Sequence, residues 1–314
     1  MPPHIVVVCG PTASGKTRLG VELARRLNGE IVSADSMQVY REMDIGTAKP
    51  TMEERGGVAH HMLDVADPRE DYSVARYARE ASACIDNILA RGKLPILVGG
   101  TGQYIDAVKA GHSFAAFRPD SGIRNALQER AAAEGSQALW RQVEQIDPAA
   151  AARIHPNDQK RIIRALEVWQ ETGKTITQHN AETQAIPPRY LARTIGLNFQ
   201  DREDLRRVID RRVDEMMARG LIQEVSRLLQ AGVPLGCTAM QAIGYKELAA
   251  AVEGGVPMEQ AVAEVKLRSR QYAKRQLTWF RRDSQIHWIH WEGKPNFSRG
   301  LQDSTEFIGN FAVP

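Results

Sequence analysis

HIVVVCGPTASGKT, residues His4 to Thr17, joins a β-branched apolar run to a glycine-rich loop, and the fold follows from it. Residues 4–9 form a β-branched run that stops at Gly10, as a fully buried parallel strand does before a tight turn. From Arg18 to Leu27, the residues Leu19, Leu23, Ala24 and Leu27 recur on one helical face, and Asn28-Gly29 ends the helix. Strand, glycine loop and helix in that order form a phosphate cradle. Gly10 and Gly15 let the backbone of Gly10, Pro11, Thr12, Ala13, Ser14, Gly15, Lys16 and Thr17 turn its N–H groups inward. Lys16 supplies a point charge, Thr17 a hydroxyl ligand for Mg²⁺, and the helix its N-terminal dipole.

Outward from the loop, the second strand, Glu30 to Ala34, runs into Asp35-Ser36-Met37-Gln38. That places a carboxylate at the carboxyl end of a strand beside the cradle, the edge where open α/β sheets hold ligands. A helical stretch over Ser73 to Arg91 leads to a third strand, Leu94 to Val98, closed by Gly99-Gly100-Thr101-Gly102. Strands alternating with helices predict a parallel sheet. From about Arg118 the pattern changes, and the next strand-like run is Arg193 to Phe199. The interval predicts helices over Ser121 to Glu134, Gln137 to Val143, Ala149 to Ile154 and Asp158 to Thr172. The expected class is therefore α/β, a P-loop NTPase-like parallel sheet flanked by helices, with an all-helical insertion domain. Residues 1–117 and 191–314 form the expected core and residues 118–190 the insertion. Later helices are expected over Asp201 to Arg219, with Asp201 as N-cap, Leu221 to Gln230 and Met258 to Arg282, before a strand over Ile286 to Trp291. Beyond Gly293 the periodicity fades.

Composition narrows the partners. With 41 basic and 38 acidic residues the net charge is only +3, so a nucleic-acid surface must come from local clusters. Three scattered cysteines, Cys9, Cys84 and Cys237, fit neither a zinc site nor a disulfide framework, which predicts a cytoplasmic setting. His60 and His61 are adjacent on an extended segment, point apart, and read as structural. The run Ile5 to Cys9 is too short for a membrane span. No long apolar seam stands out, so a monomer is expected.

The occupant of the cradle is a separate question. An NTP hydrolase adds an apolar strand ending in an acid that holds Mg²⁺, whereas LPILVGGTG, residues 94–102, ends in glycines and threonine. The strand-end acid near the loop is Asp35, which follows the second strand, where small-molecule kinases hold their acceptor. A diphosphate with an acceptor group suits such a site; a P-loop kinase is the competing reading.

GPTASGKT, Asp35 to Tyr40, His60 to Asp64, Gly99 to Gly102, His155 to Asp158, Arg164 to Val168, Gly244-Tyr245 and Lys274 to Trp279 together resemble, in order and spacing, the tRNA dimethylallyltransferases over roughly Val7 to Arg282. The resemblance implies transfer of a dimethylallyl group from dimethylallyl diphosphate to N6 of the adenine 3′-adjacent to the anticodon, with the cradle gripping diphosphate. Under it, Lys16 and a Mg²⁺ on Thr17 stabilise the departing diphosphate, Asp35 orients N6 and accepts its proton, and Thr101 positions the nucleophile. A stacked base must be flipped into a pocket. Ser36, Met37 and Gln38 are expected to line it, the Gln38 amide matching an adenine edge.

The partner implied is a tRNA anticodon stem-loop, met by basic residues on two helices. Lys160, Arg161 and Arg164 supply one row, and Lys274, Arg275 and Arg281 the other, with Arg270 and Lys274 four apart. Arg124 is a further expected contact, as are Gly244, Tyr245 and Lys246. At Gln241 many members of the family carry arginine, which removes a charge from that contact. Trp279 and Phe280 are expected in the core.

Overall fold

A computed structural model describes residues 2–111 and 121–309, so Arg118, where the sequence pattern changes, lies outside the described residues. The chain divides into two compact units, residues 1–109 with 188–314 and residues 110–187.

The first unit is built on six parallel strands: β1 (His4–Cys9), β2 (Gly29–Ser33), β3 (His60–His61), β4 (Leu94–Gly99), β5 (Leu191–Phe199) and β6 (His287–Trp291). They lie in the order β3-β2-β4-β1-β5-β6. The fold is thus the expected P-loop-like parallel sheet. Its central strand is β1, paired with β4 through Val6 and Ile96 and with β5 through Val6 and Arg193. Alternation along β1 sends Ile5, Val7 and Cys9 into one buried cluster and Val6 and Val8 into another, which is why no residue from 5 to 9 is polar.

Helices cover both faces. The first of them in chain order are α1 (Lys16–Arg26), α2 (Met52–Arg55), α3 (Val74–Ala90) and α4 (Gly102–Ala110). The second unit contributes α5 (Ser121–Glu134), α6 (Ser136–Ile146), α7 (Pro148–Ala151), α8 (Gln159–Thr172) and α9 (Ile176–Gln184). After β5 come α10 (Arg202–Ala218), α11 (Leu221–Gln230), α12 (Tyr245–Val252), α13 (Met258–Phe280) and α14 (Phe297–Ile308). The Asp201 carboxylate caps α10 by accepting from the Glu203 N–H at 2.9 Å. At β3, His61 meets Glu30 at 2.8 Å and His60 meets the Val58 carbonyl at 2.9 Å, so both are structural.

The second unit packs α5, α6 and α8 around Leu127, Leu139, Val143, Ile162 and Leu166. Within it the fully buried Glu167 carboxylate accepts from Arg124 at 2.9 and 2.8 Å and from Arg164 at 2.9 Å. Burial would raise the pKa of this carboxyl, but the two guanidinium groups outweigh it and hold it below its ordinary value. Glu167→Ala removes the buried acceptor shared by two arginines that are 46% and 35% exposed. Solvent screens part of that cost, so a loss of about 1–3 kcal/mol is expected, read as an earlier thermal transition of this unit.

Candidate active site

The loop between β1 and α1 owes its shape to three backbone positions. Gly10 has φ 139°, and a Cβ there would sit 2.3 Å from the Leu197 carbonyl oxygen, so the glycine also lets β1 meet β5. Ala13 and Gly15 follow with φ 63° and 89°, turning the chain into α1. Lys16 Nζ donates to the Pro11 carbonyl at 2.6 Å across the loop. A residue missed from sequence completes it. Gln276 on α13 accepts from the Thr12 N–H at 2.8 Å and donates to the Gly100 carbonyl at 2.9 Å, tying the loop to the turn after β4.

This loop opens into a cleft of about 520 Å³ lined by Lys16, Thr17, Arg18, Asp35, Arg212 and Gln276. Lys16 has its pKa lowered to about 8, chiefly by burial and then by the charge of Arg212, with Asp35 opposing. Arg212 itself is pushed below its ordinary value by burial, again against the pull of Asp35. It makes no ion pair within 4 Å among the described residues, although it faces a cavity. The sequence offered one hint of it: Arg212 lies three residues after buried Ile209 and directly before buried Val213.

Asp35 leaves β2 in an Asx turn, its Oδ1 accepting from the Met37 N–H at 2.9 Å and the Gln38 N–H at 3.3 Å. No hydrogen bond to Oδ2 is found among the described residues. Thr101 is held beside it, since its N–H donates to the Ala34 carbonyl at 3.1 Å and its Oγ1 accepts from the Ser36 N–H at 3.0 Å. A second cavity of about 290 Å³ lies here, bordered by Ser36, Met37, Gln241, Gly244, Ser269 and Arg275. Thr12, Ala13, Asp35, Arg212 and Tyr272 line both cavities, so they form a common wall. The Tyr272 phenol, also missed from sequence, is pushed up to about 12 by burial and by the charge of Asp35.

The remaining expected contacts divide. Gln38 lines the larger cavity, but its amide is engaged: Oε1 accepts from Ser33 Oγ at 3.0 Å and Nε2 donates to the Thr47 and Ala48 carbonyls, each at 3.2 Å. An adenine edge would have to displace those bonds. Tyr245 corrects the sequence reading most sharply, because it is fully buried and cannot touch an RNA. Its hydroxyl donates to Glu224 at 2.5 Å, and Glu224 in turn accepts from the N–H groups of Asp44, Ile45 and Gly46. Gly244 (φ 97°) makes the turn into α12 that carries Tyr245 inward. Gln241 borders the smaller cavity while its amide donates to the Leu235 carbonyl at 2.7 Å, and Lys246 is exposed.

Among the basic rows, Arg124 and Arg164 are committed to Glu167 rather than displayed as free charges. Lys160 and Arg161 are exposed, the latter 3.4 Å from Asp158. On α13, Arg270 pairs with Asp210 at 2.6 Å, whereas Lys274 and Arg275, and Arg281 just past its end, are exposed. Phe280 is buried, but Trp279 is 36% exposed and carries the Arg282 guanidinium 4.0 Å above its ring.

A family model described as IPP transferase matches residues 38–283, and one described as isopentenyl transferase matches residues 3–70. A tRNA dimethylallyltransferase of Oceanobacillus iheyensis is 46% identical over 98% of this chain and 95% of its own length. The full-length tRNA isopentenylpyrophosphate transferase of Bacillus halodurans is 44% identical with a TM-score of 0.73, covering 97% of this chain and 95% of that one. A eukaryotic dimethylallyltransferase, seen in snapshots acting on tRNA, is 30% identical with a TM-score of 0.84 over 98% of this chain and 80% of that one. With such relatives spanning nearly its whole length, the chain belongs to the IPP transferase family.

Proposed function

We infer that this protein transfers the dimethylallyl group of dimethylallyl diphosphate to N6 of the adenine that follows the anticodon on its 3′ side in tRNA. The observation that carries this reading is the wall shared by the two cavities. Diphosphate in the cradle and an adenine in the smaller cavity would both face Asp35, Arg212 and Tyr272. N6 attacks C1 of the donor, the C1–O bond breaks, and the electron pair leaves on the diphosphate. The first-turn N–H groups of α1, Lys16 and Arg212 stabilise that negative charge where it develops. Asp35 Oδ2 orients N6 and takes the proton it loses, while Oδ1 stays bound to the Met37 and Gln38 N–H groups. Thr101 and Tyr272 hold the acceptor side in register.

Mg²⁺ is the expected cofactor, neutralising charge on the diphosphate when bound. Among the described residues no group of three His, Cys, Asp or Glu forms a ready-made cage. Mg²⁺ typically keeps its waters and takes few protein ligands beside substrate phosphates, so the Thr17 hydroxyl in the cleft suits it. Free, unpaired cysteines accord with a cytoplasmic setting, where tRNA is met.

The anticodon arm is assigned to the exposed charges of α13 and the turn that ends it. Lys274 and Arg281 form no ion pair among the described residues, unlike Arg270. Replacing both by alanine is expected to weaken tRNA binding and to flatten its log–log salt dependence by about one unit for each phosphate neighbour removed. An unaltered slope returns that face to ordinary solvated surface. The transfer reading itself is tested by diphosphate release: release is expected only when dimethylallyl diphosphate, Mg²⁺ and tRNA are all present. Phosphate transfer from ATP to a small acceptor would replace it with a kinase.

A further inference from the structure

Trp291, the last residue of β6, is buried, and its indole N–H donates to the Ser14 carbonyl at 2.9 Å. Phe297, at the start of α14, packs beside it with ring centroids 5.7 Å apart. The same Phe297 ring closes on the next loop residue: a Cβ on Gly15 would lie 2.8 Å from its Cζ. The Arg18 guanidinium lies 4.3 Å from the centroid of that ring, at the border of the large cleft. At Gly300 a Cβ would meet Trp291 Cη2 at 2.6 Å, so glycine lets α14 approach the indole. Both aromatic residues lie past residue 283, where the model described as IPP transferase stops matching, although the relatives cover nearly the whole chain.

A trans peptide is planar, with its C=O and N–H directed oppositely. Holding the Ser14 carbonyl on the indole therefore turns the N–H of Gly15 the other way, away from Trp291. Without a Cβ, Gly15 at φ 89° offers little steric resistance to a flip of that peptide. A flip would exchange a donor for a carbonyl oxygen in a loop that must receive an anion. We propose that Trp291 and Phe297 are positioning residues for diphosphate binding: the indole fixes the orientation of the Ser14–Gly15 peptide, and Phe297 holds Gly15 and Arg18 against the cleft. This rests on the reading of the cradle as a diphosphate site.

The test is calorimetric binding of inorganic diphosphate with Mg²⁺ to the full-length protein, beside tRNA affinity and thermal stability. Trp291→Phe keeps a ring but removes the donor, and about 3- to 10-fold weaker diphosphate binding is expected, with tRNA affinity unchanged. Phe297→Leu, at a half-buried position that tolerates the change more easily, is expected to act in the same direction and decides the matter if Trp291→Phe does not fold. Diphosphate affinity unchanged in a folded variant, or lowered only together with tRNA affinity, overturns the inference. If the unsubstituted protein fails to bind diphosphate, the donor reading falls first, an outcome distinct from either variant's result.

Discussion

Asp35→Ala is expected to slow single-turnover transfer at least ~100-fold while leaving tRNA affinity nearly unchanged. An exocyclic amine is a weak nucleophile that becomes strongly acidic once alkylated, so a carboxylate at the point of attack both aims it and removes its proton. In the proposed mechanism Asp35 does that work, and two backbone N–H groups on Oδ1 hold it in place. Asp35→Asn keeps an oxygen for those bonds and hence the turn, but loses the base. It is expected to be nearly as slow as alanine. A fast Asn variant would reassign Asp35 to turn geometry, and an unchanged Ala rate at saturating donor would remove it from the mechanism.

Removing Arg212 should cost nearly as much, by another route. A half-buried guanidinium on the shared wall, without a protein carboxylate in ion-pair range among the described residues, would suit the charge that the proposed donor brings and that grows as diphosphate leaves. Arg212→Ala is expected to lower kcat/KM for dimethylallyl diphosphate by about 10²–10³. Its neighbour adds a pH signature. Because Lys16 is lowered to about 8, the ligand-free protein loses this charge as pH rises through that value, and kcat/KM for the donor falls on the alkaline side. Lys16→Arg, which does not deprotonate, abolishes that limb whatever its absolute rate. Arg212→Ala shifts it to higher pH, since the Arg212 charge is one of the causes that depress Lys16. An alkaline limb that stays in place in both variants would separate these two residues from donor binding.

Local signals carried the sheet and the cradle into view. The β-branched run before Gly10 and the glycines at 10 and 15 state a buried strand and a turn within one short stretch, and periodicity gave α5 and α11 to the residue. The helix α14 was invisible because its apolar positions, Phe297, Leu301, Phe307 and Ile308, are few and set among Ser298, Gly300, Asp303, Ser304 and Thr305, residues of low helical preference. Short α12 and α9 were missed for a related reason: an amphipathic stripe needs several turns to declare itself.

Site residues supplied from distant elements were the harder part. Gln276 reaches the loop and Tyr272 the wall shared by the two cavities, both far away in sequence, and nothing local to α13 announces that. Arg212 sits in a helix crowded with arginines, where a solvated face is the ordinary expectation. Tyr245 shows the converse error, for a residue within a motif can serve by packing: its hydroxyl on Glu224 shapes the 44–46 segment from inside the core. Arg124 and Arg164 likewise answer to Glu167 in their own unit.

The most direct measurement is mass spectrometry of nucleosides from tRNA incubated with the protein, Mg²⁺ and isotopically labelled dimethylallyl diphosphate. The account predicts one labelled nucleoside, N6-dimethylallyladenosine, recovered from the fragment that carries the base 3′ to the anticodon and absent with Asp35→Ala. Label on another atom or base, or label retained in the Asp35→Ala variant, would contradict it.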